Sequence, residues 1–247
     1  NQQQAVFMMK ACNECEPVIL LDPNKFSVDG TVSLSDISVS PNGEYLAYSI
    51  SDGGSDWRTW KVYNIEAAQE TDDLIEWSKF SYAVWESDGS GFYYQKYKEP
   101  DEALSDINRS PQLYFHKLGD KQSEDRLVYE DKFNPDRSWS ISVPDKGAYR
   151  ILSIGEGTDE RNFLSISLDE SLNFIPVVDE FKATYRFLGG DETTLWFFSN
   201  LDAPNGKILS LKISNEDFEW KELIQEKKTP ISNASVVGNK LVINYLV

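Results

Sequence analysis

The stretch Ser40-Pro41-Asn42-Gly43-Glu44-Tyr45-Leu46-Ala47-Tyr48 joins a tight-turn sequence to an apolar strand sequence. Degraded versions of it return four times, marked by the glycines Gly89, Gly147, Gly190 and Gly238. Counted from Gly43, the steps between markers are 46, 58, 43 and 48 residues. A turn that recurs every ~40–50 residues between apolar strands is typical of β-propeller blades.

Short runs of β-forming residues flank each turn, and no segment carries a sustained apolar stripe at helical spacing. An inner strand precedes the turn, as in 32–39 and 80–85, and three further strands follow it. The chain is therefore predicted to be all-β, a β-propeller of four-stranded antiparallel blades. The blades are predicted at residues 32–76, 78–130, 138–179 and 182–225, with half-blades at 5–22 and 231–247.

Residues 1–247 are predicted to form a single propeller segment with about five blades' worth of strands. Two arrangements stay open: a five-bladed ring closed by pairing the two half-blades, and an open arc cut from a larger ring. An open arc would leave strand edges available for self-association. Because the chain starts and stops within strand sequences, we expect it to be a piece of a longer chain.

The composition limits the classes of partner. A hydrophobic content of 40% supplies enough apolar residues for a packed core, in which we expect the seven tryptophans to lie. A net charge of −17 argues against binding to nucleic acid or anionic membranes, because both rely on Lys and Arg. The acidity is interpreted as a solubilising coat or as a field that attracts cationic peptides. No apolar stretch reaches the ~20 residues that span a bilayer.

Cys12 and Cys15 are the two cysteines of the chain, in the sequence Cys-Asn-Glu-Cys. This spacing suits half of a zinc site, a redox pair or a hairpin turn between two strands. The hairpin is favoured, because the single histidine is remote in sequence and no βαβ pattern surrounds the pair. Such low cysteine usage predicts a reducing, cytoplasmic location.

Several segments, in order and spacing, resemble the propeller domain of the prolyl oligopeptidase (prolyl endopeptidase) family of serine peptidases. They include Leu20-Leu21-Asp22-Pro23-Asn24, Gly54-Ser55-Asp56-Trp57, Asp88-Gly89-Ser90-Gly91, Gln112-Leu113-Tyr114-Phe115-His116 and Gln122-Ser123-Glu124-Asp125. The similarity runs along the whole chain and weakens after residue 170.

This resemblance implies a seven-bladed propeller that caps an α/β-hydrolase domain carrying a Ser-Asp-His triad. The whole enzyme would cleave short peptides after proline, and the propeller would exclude large substrates. The chain corresponds to part of that propeller only. Its implied partners are therefore short proline-containing peptides, reached through a hydrolase domain that lies outside this sequence.

The residues themselves offer no hydrolytic site. No Gly-x-Ser-x-Gly elbow occurs, and Asp88-Gly89-Ser90-Gly91 is a blade turn instead of a strand-to-helix elbow. His116, the single histidine, is interpreted as an ordinary residue of a third strand. We therefore expect no catalytic residue, no metal and no cofactor, and an isolated chain that is inactive.

Three residues are predicted to face the substrate, from the resemblance alone. Tyr93 stands where family members place an aromatic side chain against the substrate. Phe163 stands where well-known members carry arginine, and Ser167 where they carry cysteine, which puts those two contacts in doubt. Packing within the blade is the favoured interpretation for Tyr93.

Propellers of this kind also perform two other functions. Five-bladed propellers include glycosidases with paired carboxylates, and Asp22-Pro23-Asn24 resembles part of one such motif. However, Asp22 ends an outer strand and does not face a central channel.

A non-catalytic scaffold is the alternative if the chain is a stand-alone protein. In that case a five-bladed propeller would bind a peptide or protein through its tunnel or one of its faces.

Overall fold

The computed structural model describes residues 3–99, 109–144, 149–215, 217–238 and 240–246. In this part of the chain it contains twenty strands and two short 3-10 helices, Pro23–Lys25 and Gln122–Glu124. The chain divides into two compact units, Asn1–Phe133 and Asn134–Val247. The predicted all-β class and the four-stranded antiparallel sheets are confirmed. That all sheets belong to a single propeller segment stays a prediction.

The first unit contains one two-stranded sheet and two four-stranded sheets, all antiparallel. The two-stranded sheet consists of β1 (Phe7–Met9) and β2 (Val18–Leu21). The second sheet consists of β3 (Val32–Val39), β4 (Tyr45–Asp52), β5 (Arg58–Asn64) and β6 (Gln69–Ser78). The third sheet consists of β7 (Val84–Trp85), β8 (Gly91–Lys96), β9 (Gln112–Lys117) and β10 (Arg126–Glu130).

The second unit contains two four-stranded sheets and one two-stranded sheet, again antiparallel. Its first sheet consists of β11 (Arg137–Ser142), β12 (Arg150–Glu156), β13 (Phe163–Ser167) and β14 (Ile175–Val178). Its second sheet consists of β15 (Tyr185–Gly190), β16 (Thr194–Ser199), β17 (Lys207–Ser214) and β18 (Asp217–Ile224). The two-stranded sheet consists of β19 (Ile231–Val237) and β20 (Lys240–Tyr245).

The repeated turn has the same geometry in the two four-stranded sheets of the first unit. The Gly43 N–H donates to the Ser40 carbonyl, and the Gly89 N–H donates to the Glu86 carbonyl, each at 2.9 Å. Both glycines are left-handed, with φ of 74° and 75°, a conformation that other residues adopt only with strain. The marker Gly147 lies outside the described residues.

The marker Gly190 does not lie in a turn, in contrast to the prediction. It is the last residue of β15, and the turn is formed by the residues that follow it. There the Asp191 carboxylate accepts hydrogen bonds from the backbone N–H groups of Thr193 and Thr194, each at 2.9 Å. An Asx-type turn therefore replaces the glycine turn at this blade.

The inner strand of the third sheet is shorter than the predicted 80–85, because only Val84–Trp85 pairs with β8. The Ser81 hydroxyl accepts a hydrogen bond from the Gln95 backbone N–H at 2.7 Å, in the place of a strand carbonyl. Phe80 is left-handed, with φ of 47°. These two features take the chain out of the extended conformation before β7.

Each unit has its own apolar core between its four-stranded sheets. In the first unit, Trp60 of β5 and Phe92 of β8 are buried with ring centroids 6.5 Å apart. In the second unit, Leu164 of β13 packs in one cluster with Phe197 of β16. Trp60, Trp85 and Trp139 are buried, as predicted, whereas Trp57, Trp77, Trp196 and Trp220 are partly exposed.

Candidate functional site

Tyr93 lies on β8 and is almost completely buried. Its hydroxyl donates a hydrogen bond to Glu86 Oε2 at 2.7 Å, and its ring lies 5.0 Å from that of Phe115. These contacts hold the side chain within the first unit. A substrate contact at Tyr93 stays a prediction.

Phe163 and Ser167 are the first and last residues of β13, in the second unit. Ser167 is fully buried, and its hydroxyl donates to the Asp169 carbonyl at 2.9 Å. Phe163 is partly exposed. Its ring lies 5.1 Å from Phe181, and the Arg137 guanidinium lies 4.9 Å from its centroid, within cation–π distance. Of the three predicted substrate-facing residues, only Phe163 keeps appreciable exposed surface.

His116, on β9, is completely buried between two carboxylates. Its Nδ1 lies 2.7 Å from Asp125 Oδ1, and its Nε2 lies 2.9 Å from Asp73 Oδ1. Burial alone would lower the pKa of His116, but the hydrogen bonds to Asp125 and Asp73 raise it to about 9. The imidazole is therefore charged at neutral pH and donates through both ring nitrogens.

Both carboxylates have further hydrogen-bond donors. The Gly119 N–H donates to Asp73 Oδ1 at 2.6 Å, and the Tyr94 hydroxyl donates to Asp125 Oδ2 at 2.7 Å. Burial would raise the pKa of Asp73, but hydrogen bonds led by that from His116 lower it. Asp73 lies on β6, whereas His116 lies on β9, so this network joins the two four-stranded sheets of the first unit.

The network cannot supply a hydrolytic base. In a serine triad one imidazole nitrogen must face the nucleophile, whereas both nitrogens of His116 face carboxylates. The prediction that His116 lies on a strand is confirmed, but its role as a buried ionic link was missed. One signal was present: Asp125 follows within nine residues, across a Gly119-containing turn that can fold back onto β9.

Asp22, the residue behind the glycosidase alternative, performs a local structural role. Its carboxylate accepts hydrogen bonds from the backbone N–H and the side-chain amide of Asn24, at 3.2 and 2.9 Å. It thereby caps the 3-10 helix Pro23–Lys25. These contacts explain the Asp-Pro-Asn sequence without a catalytic role.

Cys12 and Cys15 lie in the connection between β1 and β2, so the predicted hairpin is confirmed. They also form a disulfide bond. Because both sulfur atoms are in this bond, neither is available as a zinc ligand. Elsewhere in the described ranges, no group of His, Cys, Asp and Glu could hold a metal ion. None of the helices described is long and apolar enough to cross a membrane.

Comparison with known proteins supports the resemblance found in the sequence. Residues 1–247 match the sequence model of the family described as "Prolyl oligopeptidase, N-terminal beta-propeller domain". The prolyl endopeptidase of Elizabethkingia meningoseptica is 36% identical over 233 residues, covering 93% of this chain and 32% of that protein. Prolyl oligopeptidase A of Galerina marginata is 32% identical, covering 89% of this chain and 33% of that protein.

A solved structure shares the fold. It is prolyl oligopeptidase B from Galerina marginata bound to a 35mer hydrolysis and macrocyclization substrate, with a TM-score of 0.86 and 25% identity. The match covers 93% of this chain and 34% of the chain in the solved structure. This chain thus spans about a third of the length of the relatives it matches. The chain belongs to the prolyl oligopeptidase family, within its N-terminal β-propeller domain.

Proposed function

We propose that this chain is the gating and substrate-filtering part of a prolyl oligopeptidase-type serine peptidase that cleaves short peptides after proline. The observation that carries the proposal is the match of all 247 residues to the propeller domain of that family. The His116 geometry agrees with it, because no serine hydroxyl bonds to either ring nitrogen among the described residues. The nucleophile and base would therefore belong to another stretch of polypeptide.

Filtration follows from the shape of a propeller and needs no particular side chain. Four-stranded blades arranged about an axis leave a narrow tunnel. Small peptides pass through such a tunnel, whereas folded proteins do not. In this proposal the sheets of both units are blades of one propeller segment.

Among the three predicted substrate-facing residues, we propose Phe163 as the one that contacts substrate. Tyr93 and Ser167 are buried and already hydrogen-bonded within the sheets. Phe163 is partly exposed, and the Arg137 guanidinium lies over its ring. A peptide carbonyl at this position could meet a guanidinium although the strand residue itself is phenylalanine.

The proposal predicts a clear difference between the isolated chain and the full product of its gene. The 247-residue chain should not hydrolyse a chromogenic Gly-Pro amide, whereas the full product should, and Phe163→Ala in it should raise KM more than it lowers kcat. The full product should also cleave a short proline-containing peptide but spare the same sequence within a folded protein. Turnover by the isolated chain that a serine-directed phosphonate inhibits would contradict this assignment.

We also propose a cytoplasmic location, supported by the presence of only two cysteines. The Cys12–Cys15 disulfide argues in the opposite direction, because disulfides are uncommon in reducing compartments. We expect both thiols to be reduced in living cells. Alkylation of intact cells followed by mass spectrometry measures this, and a fully oxidised pair would rule out the cytoplasm.

A further inference from the structure

The Cys12–Cys15 disulfide lies at the surface, in the connection between β1 and β2. Cys12 and the two residues between the cysteines are exposed, and Cys15 is partly exposed. Dissolved thiols and disulfides can therefore reach both sulfur atoms. Exposed disulfides are the ones that exchange most readily, whereas purely structural disulfides resist reduction.

The backbone holds the two cysteines together without the covalent bond. The Cys15 N–H donates to the Cys12 carbonyl at 3.2 Å, which closes a turn. Lys10 Nζ donates to the Asn13 carbonyl at 3.0 Å, within the same turn. Because neither hydrogen bond involves sulfur, the two thiols of a reduced pair would stay within reach of each other. Formation of the disulfide from such a pair is an intramolecular step with a high effective concentration.

The charge beside the turn favours the thiolate, which is the form of cysteine that attacks a disulfide. The hydrogen bond from Lys10 fixes an ammonium group next to the loop, and a neighbouring cation stabilises a thiolate. The carboxylates of Glu14 and Glu16 act in the opposite direction. Both of these residues are exposed, so solvent and salt weaken their effect.

The hairpin that this loop joins depends on few contacts. β1 has three residues, and its pairing with β2 is irregular between Phe7 and Met8. A two-stranded sheet is marginally stable by itself. Leu21 of β2 is buried in one cluster with Leu46 and Tyr48 of β4, so the hairpin covers part of the neighbouring four-stranded sheet. A covalent bond within the loop lowers the entropic cost of closing the hairpin and would hold it more firmly on that sheet.

We propose that Cys12 and Cys15 form a reversible modification site that exchanges with low-molecular-weight disulfides, and that oxidation of the pair fastens the β1–β2 hairpin. In the first step, one protein thiolate attacks the S–S bond of the small disulfide, so that a mixed disulfide forms and one small thiolate leaves. In the second step, the other protein thiolate attacks the cysteine sulfur of the mixed disulfide. The Cys12–Cys15 bond forms and the second small thiolate leaves. Two electrons pass from the protein to the small disulfide, and the two protons released by the protein thiols are taken up by the departing thiolates.

This inference is independent of the peptidase function proposed above, because it uses none of the residues invoked there. Its chemical part is tested by equilibrating the 247-residue chain with mixtures of reduced and oxidised glutathione at neutral pH. Free thiols are then alkylated and counted by mass spectrometry. We expect a reversible change from two alkylated cysteines to none, reached from either starting form. A disulfide that resists a large excess of reduced glutathione would overturn the proposal, and so would cysteines that oxidised glutathione never converts to the Cys12–Cys15 bond.

Its structural part is tested by amide hydrogen exchange of the reduced and the oxidised chain. The amides of β1 and β2 should exchange about tenfold more slowly in the oxidised chain, whereas those of β16 in the second unit should exchange equally in both. The matched control carries Cys12→Ser together with Cys15→Ser, and it should behave like the reduced chain at every glutathione ratio. Thermal unfolding of this variant that coincides with that of the reduced chain establishes that its folding is intact. Equal exchange of the β1 and β2 amides in the two redox forms of the unaltered chain would refute the proposal.

Discussion

Replacing His116 with phenylalanine is expected to lower the free energy of unfolding by about 3–5 kcal/mol, because it leaves buried carboxylates without their counter-charge. The ring of Phe92 lies 5.4 Å from the imidazole, so a phenyl ring at position 116 keeps an aromatic neighbour. The loss of stability would therefore report mainly the missing positive charge of His116 between the Asp73 and Asp125 carboxylates. Urea denaturation of the chain at neutral pH measures the difference.

The matched control is a pair of a cation and a carboxylate that is exposed to solvent. Arg161 pairs with Asp159 at 2.5 Å, with about half of the Arg161 side chain exposed. Arg161→Ala should leave the unfolding midpoint within experimental error, since exposed pairs contribute little. If His116→Phe behaved like this control, the buried network would not exist as described.

The same network sets a direction for the pH dependence of stability. The pKa of His116 rises from 6.5 in the unfolded chain to about 9 in the folded chain. Its stabilisation is therefore complete below pH 6.5 and lost as the pH rises through about 9. The slope between these values is at most about 1.4 kcal/mol per pH unit. This component of the pH profile should be missing in His116→Phe.

Replacing Trp60 with alanine is the second large effect, with an expected loss of about 3–5 kcal/mol. Trp60 is 1% exposed and packs between the four-stranded sheets of the first unit. Its ring N–H donates to the Ser78 hydroxyl at 3.2 Å. The substitution therefore leaves a cavity and removes the partner of a buried hydroxyl. Differential scanning calorimetry and denaturant titration both measure the loss.

Phe133→Ala is the control for this truncation, because Phe133 is 93% exposed. It removes an aromatic ring without creating a cavity, so the unfolding midpoint should stay within error. A loss of less than 1 kcal/mol in Trp60→Ala would show that the two sheets do not pack around this ring.

The sequence predicts the sheets well where the local chemistry leaves little choice. Gly43 and Gly89 mark the turns because their left-handed φ is costly for other residues. The alternation of apolar and polar residues then locates the strands on either side. The prediction fails at Gly190, because the chain reverses its direction through an Asx turn formed by Asp191, which needs no glycine.

The polar contacts could not be predicted in the same way. Asp73 and His116 are 43 residues apart, and their contact depends on how two sheets face each other. Local periodicity carries no information on that packing. The shortened β7 has a similar cause, because the Ser81 hydroxyl pairs with the Gln95 backbone from another strand.

Hydrogen exchange at the Gly119 amide can measure how often the two four-stranded sheets of the first unit separate. The amide hydrogen is donated to Asp73 on the neighbouring sheet, at an N···O distance of 2.6 Å. Deuterium can replace it only when that bond breaks, so its exchange rate reports how often the sheets separate. The exchange rate of this single amide therefore reports the opening of adjacent sheets without any introduced probe.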